Sequence, residues 1–347
     1  MEHIKQISTT NKLLFFIVVP LVLHILKILS FIFIPLVAAS LIALLFLPTL
    51  RYLYKKGIPR WFTIIIVSTF IFLLAFTAFA IFRVSIKELL MVDSAYWIQI
   101  LDNINQILTP FIKLLSIDLL PDEDNISALL HSSAFTDMIP QKLGKLLQAA
   151  KSGATMILMS VFFLILLLAG TINVQKVMEQ TIFKRRIPSM RAFATLEKSI
   201  VKFIIVKFLI SLATGVAFGL TCMFFDINFP IFWGFLAFML NFIQMVGSIV
   251  VTIVLSLFAL AQLNLCATVV IFILILIAIQ IVFGSVLEPI FMGKTFSINT
   301  ITILVMLMLW GYLWGVLGMI LSVPITVLLK TTLEQFPRTK YLALMMS

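Results

Sequence analysis

Residues 284–294 read Gly-Ser-Val-Leu-Glu-Pro-Ile-Phe-Met-Gly-Lys and lie between two long apolar runs, 265–286 and 299–329. Glu288 is the only acidic residue between Asp226 and Glu334. Proline lacks a backbone donor and disfavours helix at the residue before it. Glu288-Pro289 therefore predicts that the 265–286 helix ends here, with an ionisable group near the bilayer. Carboxylates within a membrane are costly, which makes them functional candidates by default.

The rest of the chain supports a membrane setting. Hydrophobic residues make up 62% of the sequence and charged residues 11%, and the mean hydropathy is +1.20. Repeated apolar stretches of spanning length in such a composition read as transmembrane helices. The net charge of +11 does not indicate nucleic acid, because the basic residues sit in short clusters between apolar runs, where they set membrane orientation. Cys222 and Cys266 lie inside apolar runs without metal or redox spacing, and His3, His24 and His131 form no ligand pattern, so no metal is expected. The chain lacks GxSxG, HExxH and P-loop motifs, and nothing suggests an enzyme. The first apolar segment lacks a small-residue cleavage site and is followed at once by a second, so it is not read as a cleavable signal.

The predicted fold is all-α: a polytopic transmembrane helical protein with two re-entrant helical hairpins and an amphipathic extracytoplasmic helical region. About six full spans are expected. Residues 1–82 form N-terminal scaffold helices (13–29, 31–50 and 61–82), with Pro20, Pro35 and Pro48 as kinks or ends. The basic turn Arg51–Arg60 faces the cytoplasm. Residues 83–150 form the amphipathic segment. They carry eight of the fourteen acidic residues, from Glu88 to Asp137, with apolar positions at helical spacing, and suit the outer side. Residues 151–194 combine a span at 152–172 with a basic cytoplasmic loop. Residues 195–330 form the transport core and 331–347 a cytoplasmic tail, with both termini cytoplasmic.

Within the core, a helix from about Glu197 through Phe225 precedes the run 230–262, which is interrupted by Asn241, Gln244, Gly247 and Ser248. As helix that run is about 50 Å long, whereas two crossings of the hydrocarbon need about 60 Å. A hairpin with its tip near 241–248 fits the length and the polar break. Residues 265–286 make one span. Residues 299–329, about 46 Å as helix, repeat the pattern with breaks at Gly311, Gly315 and Gly318. The flanking charges place the two hairpins on opposite sides, as in an inverted repeat.

The candidate solute- or ion-binding residues are Glu288, Pro289, Asn241, Gln244, Ser248 and Lys207. Glu288 either serves transport or caps a helix by pairing with Lys294. Amides and hydroxyls at 241–248 can hold a polar solute or Na⁺ without carrying charge, or can join helices. Lys198, Lys202 and Lys207 either meet an anionic group or a lipid head group or snorkel to the interface, and Lys207 is the deepest of the three. Lys27 and His24 are read as snorkelling too. The expected gating and helix-break positions are Gly247, Gly293, Trp310, Gly311, Trp314, Gly315 and Gly318, where glycines allow close helix approach. No cofactor is expected beyond a coupling H⁺ or Na⁺.

Leu287-Glu288-Pro289, Met292-Gly293-Lys294, Trp310-Gly311 through Trp314-Gly315, Gly318 and Val323-Pro324 together resemble the signature of the autoinducer-2 exporter family of bacterial membrane proteins. So do Val206-Lys207, Ser211 through Gly215, Trp233 through Phe238 and Asn241-Phe242-Ile243. The resemblance extends over essentially the whole chain and is strongest after residue 195. That family usually has proline after the Asn-Phe-Ile triplet, where this chain has Gln244. The resemblance implies a multi-span, oligomeric inner-membrane transporter. Some members are associated with autoinducer-2 export and others with Na⁺(Li⁺)/H⁺ antiport, and family membership does not choose between them. The expected function is gradient-driven export of a small polar solute such as autoinducer-2, with cation antiport or a non-transporting scaffold as alternatives. The expected partners are that solute or a monovalent cation, the lipid bilayer and further copies of the chain, with no nucleic acid.

Overall fold

A computed structural model of the chain describes residues 14, 17–92, 96, 99–100, 102–103, 106, 153–170, 188–244, 246–263, 267–292, 298–335 and 339–346. These residues are helical apart from short connections. In chain order the helices are α1 (Ile17–Ile28), α2 (Ser30–Lys55), α3 (Arg60–Leu90), α4 (Gly153–Gly170), α5 (Pro188–Phe224), α6 (Pro230–Leu240), α7 (Val246–Leu263), α8 (Ala267–Gln280), α9 (Glu288–Met292), α10 (Thr300–Gln335) and α11 (Lys340–Met345). A π-helical segment, Ile281–Leu287, joins α8 to α9.

Among the described residues, seven helices are long and apolar enough to cross a membrane. Many large hydrophobic side chains along them are exposed, for example Phe70 and Phe76 on α3 and Leu274 on α8. Such faces are stable only in lipid or against other apolar helices, because helices satisfy their own backbone polar groups. Pro35 and Pro48 lie inside α2 and do not end it. The break between the first two apolar segments falls at Leu29, outside helical geometry at φ −89°, ψ 22°. The amphipathic segment 83–150 is described only in part: α3 carries the third span on to Leu90, and residues 107–150 lie outside the described set.

The chain divides into two compact units. One comprises Met1–Ile71, Met156–Val201 and Phe296–Ser347, and the other Phe72–Thr155 and Lys202–Thr295. The first unit has one apolar cluster around Ala39, Val67, Leu164 and Leu168, and a second around Ile34, Trp310, Leu313 and Trp314. The core of the second unit joins Phe218, Trp233, Val251, Leu255, Phe272 and Leu276, from α5, α6, α7 and α8.

Each unit contains a chain reversal inside an apolar run. In the second unit, α6 and α7 are joined through 241–245, and a Cβ placed on Gly247 would collide with the Leu240 carbonyl oxygen. Only glycine permits that return. In the first unit, α10 is broken at Gly315, with φ 64° and ψ −145°. A Cβ on Gly318 would collide with the Trp310 carbonyl, and one on Gly311 would meet Met319 Cγ at 2.9 Å. Positions eight apart in a straight helix are separated by about 12 Å, so the chain folds back on itself at Gly315. The arms of the first reversal, as helix, are about 17 and 27 Å long, and those of the second about 22 and 30 Å.

The turn from α5 to α6 shows how local chemistry holds such corners. Asp226 and Phe229 have positive φ of 54° and 66°, a conformation that non-glycine residues adopt only when the surroundings impose it. Gln262 imposes it from α7: its Nε2 donates to the Asp226 carbonyl at 2.8 Å and its Oε1 accepts from Asn228 N at 2.9 Å. Asp226 itself is exposed.

Candidate transport site

Helix α5 carries a row of polar residues through an apolar sequence. Lys207, Ser211 and Thr214, at helical spacing, are all buried. Two glycines on the same helix set how closely its neighbour packs. A Cβ on Gly215 would lie 2.7 Å from the Gly234 carbonyl oxygen, and one on Gly219 3.3 Å from the Pro230 carbonyl oxygen. Helix α6 therefore lies backbone to backbone on α5. This brings Asn241, just past the end of α6, to Ser211, where its Nδ2 donates to the hydroxyl oxygen at 3.0 Å.

One turn before Ser211, Lys207 Nζ lies 2.9 Å from both carboxylate oxygens of Glu288. The two side chains are 4% and 8% exposed. Each buried ion costs several kcal/mol in desolvation, and mutual attraction offsets this only with further hydrogen bonds. Among the described residues, neither group has a partner besides the other. The alternative partner considered for Glu288, Lys294, lies outside the described residues. Lys198 and Lys202, by contrast, are exposed.

The helix does not end at Glu288-Pro289 as expected. The departure from α geometry comes one turn earlier, in the π-helical stretch Ile281–Leu287, where Glu288 N donates to the Phe283 carbonyl. Helix then resumes from Glu288, with Pro289 as its second residue. The reason is local: proline is tolerated in a first helical turn, where its missing donor matters least. A π-turn inside an α-helix is uncommon and occurs frequently at functional sites.

The remaining candidates in the second unit cluster at the first reversal. Gln244 Oε1 is buried and accepts no hydrogen bond among the described residues. Gly247 makes the close return, and Ser248, partly buried, opens the first turn of α7. In the first unit, Trp310 and Trp314 pack with ring centroids 4.7 Å apart. Trp314 Nε1 donates to the Leu26 carbonyl at 3.0 Å, and Lys27 Nζ sits 3.6 Å from the centre of the Tyr312 ring. Gly311, Gly315 and Gly318 form the bend, while Gly293 lies outside the described residues.

Among the polar positions that sequence reasoning did not select as sites, Ser211 and Glu197 are buried and Gln280 is partly buried. Ser211 follows Lys207 by one turn, a spacing that would have flagged it. Gln280 is the one amide in the aliphatic run 267–280, and its Nε2 is buried without an acceptor among the described residues. Glu197 pairs with Arg51 at 3.2 Å in the first unit. Only the fold reveals that pair.

The helical run with two glycine-dependent reversals and a buried lysine–glutamate pair extends over the same stretch that a known family pattern matches. That pattern, described as AI-2E family transporter, matches residues 13–338. The chain belongs to the AI-2E transporter family. It is similar to AI-2 transport protein TqsA of Escherichia coli (strain K12), with 28% identity over 358 residues that cover 99% of this chain and 98% of that protein. A putative transport protein of Borreliella burgdorferi is 31% identical over 185 residues, 52% of this chain and 51% of its own length. A putative transport protein of Haemophilus influenzae is 33% identical over 151 residues, 43% and 42% of the two chains. As an AI-2E family transporter with several apolar membrane-length helices, the chain is a multi-pass membrane transporter of a small solute and not an enzyme.

Proposed function

We propose that this transporter is a gradient-driven secondary carrier of the bacterial inner membrane, exporting a small polar solute of the kind named for the TqsA relative, autoinducer-2. The observation that carries this reading is the buried Lys207–Glu288 pair, which has no other hydrogen bonds among the described residues. A pair serving stability alone is expected to be supported by further donors and acceptors. A pair that must open to admit a coupling ion or solute is not. Glu288 takes the coupling ion. Asn241 and Gln244, at the reversal one turn along α5, contact the solute with uncharged amides.

Each reversal is read as a re-entrant hairpin, and discontinuous helices of this kind carry the substrate and ion sites of secondary transporters. The basic stretches between spans put both termini in the cytoplasm. The sequence has no P-loop, so gradients supply the energy.

The test uses everted membrane vesicles containing the protein. Autoinducer-2 should accumulate inside them, stop when the ion gradients are dissipated, and fail with Glu288→Gln at equal protein level. A Na⁺- or Li⁺-driven change of internal pH without autoinducer-2 movement, lost in the same variant, would establish cation/proton antiport instead. Absence of both activities from purified, reconstituted protein would leave a non-transporting scaffold role.

A further inference from the structure

The helix around Glu288 offers more oxygens than the carboxylate alone. Pro289 has no N–H, so a carbonyl one turn back loses its intrahelical donor: Ser285 in α register, or Gly284 in the π register that precedes it. Side chains lean toward the helix N-terminus, so the Glu288 stem lies over this same turn. Gly284 adds no bulk there: a Cβ built on it would meet only Gln280 Oε1, at 3.8 Å. Gln280, Gly284 and Glu288 follow one another at four-residue spacing on one face. That face therefore carries a side-chain amide oxygen, a free backbone carbonyl and a carboxylate. Gln280 Nε2 has no acceptor among the described residues, so its amide is not committed elsewhere through that atom.

Hard oxygen donors of this kind suit an alkali or alkaline-earth cation. The charge decides between them. Among the described residues no group of three His, Cys, Asp or Glu side chains comes together, and a single carboxylate balances one positive charge. Lys207 already supplies one. Its ammonium is a compact charge on a flexible stem with three donors, of which one carboxylate engages only part.

We infer that Glu288, the carbonyl freed by Pro289 and the Gln280 amide oxygen form a monovalent alkali-cation site, in which the Lys207 ammonium is a built-in substitute that the ion displaces. The inference rests on the reading of Glu288 as the coupling group and specifies how that group is occupied between ions. With Lys207 in place the buried carboxylate is never left bare, and the incoming ion competes with a charge the protein carries itself.

Competition of this kind is measurable without transport. Thermal unfolding of the purified full-length protein is followed in NaCl, LiCl and choline chloride at constant ionic strength. Lys207→Met, which removes the substitute, should be less stable than wild type in choline and recover with Na⁺ or Li⁺. Its half-maximal cation concentration should be at least tenfold lower than that of wild type. Adding Glu288→Gln should abolish the recovery. Recovery equal in choline, or surviving in the Lys207→Met/Glu288→Gln protein, overturns the site. Where Lys207→Met cannot be purified even in NaCl, Gln280→Leu decides, because it keeps both charges. It should raise the wild-type half-maximal cation concentration at least threefold, and an unchanged value, or a wild type indifferent to alkali cations, overturns the inference. The two readings fail separately. Solute export lost in Glu288→Gln with no cation effect keeps the transport proposal and sinks the cation site. A cation effect with transport intact in Glu288→Gln keeps the site and removes its coupling role.

Discussion

The indole Nε1 of Trp314 donates to the carbonyl of Leu26 at 3.0 Å, joining the bend of α10 to the end of α1. Carbonyls near a helix C-terminus lack intrahelical donors, so this bond satisfies a group that would otherwise go without. Its neighbour Trp310 is buried to a similar degree, yet its Nε1 has no acceptor among the described residues. Trp314→Phe and Trp310→Phe remove similar ring volume but only one hydrogen bond. The first should therefore be the more destabilising, by about 1 kcal/mol. Thermal unfolding of the two variants side by side checks this, and equal losses would show that the Leu26 contact contributes nothing.

The buried charge pair makes a sharper prediction. Removing one member leaves an uncompensated buried charge, at a cost of about 3–5 kcal/mol, whereas removing both leaves none. Lys207→Gln and Glu288→Gln should each lower the yield of folded, monodisperse protein in sodium-free buffer, and Lys207→Gln/Glu288→Gln should regain most of it. Transport should stay lost in the double variant. If transport returns together with stability, the pair is structural.

Backbone reversals that depend on glycine should tolerate no side chain. Gly247→Ala and Gly318→Ala each drive a methyl into a carbonyl of the opposing arm, and overpacking of this kind costs about 1–3 kcal/mol or more. At Gly153, where a Cβ would meet nothing within 4 Å, alanine should be neutral or slightly stabilising through helix propensity. Gel-filtration profiles of the three variants after solubilisation test the contrast.

Gln244 stands where the family pattern usually has proline, and the geometry explains why both fit. Among the described residues the backbone N–H of Gln244 donates no backbone hydrogen bond at the turn, although its carbonyl accepts from Val246 N at 2.7 Å. Gln244→Pro therefore sacrifices no backbone bond. It also removes a buried side-chain oxygen that has no donor among the described residues. The variant should be at least as stable as the parent, by up to about 1 kcal/mol from the stiffer unfolded chain. If the amide contacts solute, its half-saturation concentration should rise at least threefold with the maximal rate little changed. A rate loss without that rise would argue for a role in hairpin motion instead.

Much of the helical layout is legible in the sequence because a bilayer imposes a length on apolar runs. Polar residues at 241–248 in a run too short for two crossings mark a reversal, and the helix is found to break after Leu240, at 241–244. Glycines at 311, 315 and 318 mark the other, and the bend is at Gly315. Pairings between distant helices are not legible in the same way. Lys207 and Glu288 are 81 positions apart, and from sequence alone Lys294 is the nearer partner. The π-helical stretch before Glu288 has no periodicity that sets it apart from the α-helix around it. Proline points to disturbance, but the strain is taken up in the preceding turn while helix continues through Pro289.

The contact of Gly215 with Gly234 has a mechanical consequence. With their backbones touching, α5 and α6 behave as one thick stave, because neither can slide without driving Gly215 into Gly234 and Phe238, or Gly234 into Gly219. One jaw of the first hairpin is thereby welded to the helix that carries Lys207. Helix α7 is held to this pair by side chains in the shared core and by the Gln262 bonds at the Asp226–Asn228 corner, so the tightest seam of the second unit is the one between α5 and α6.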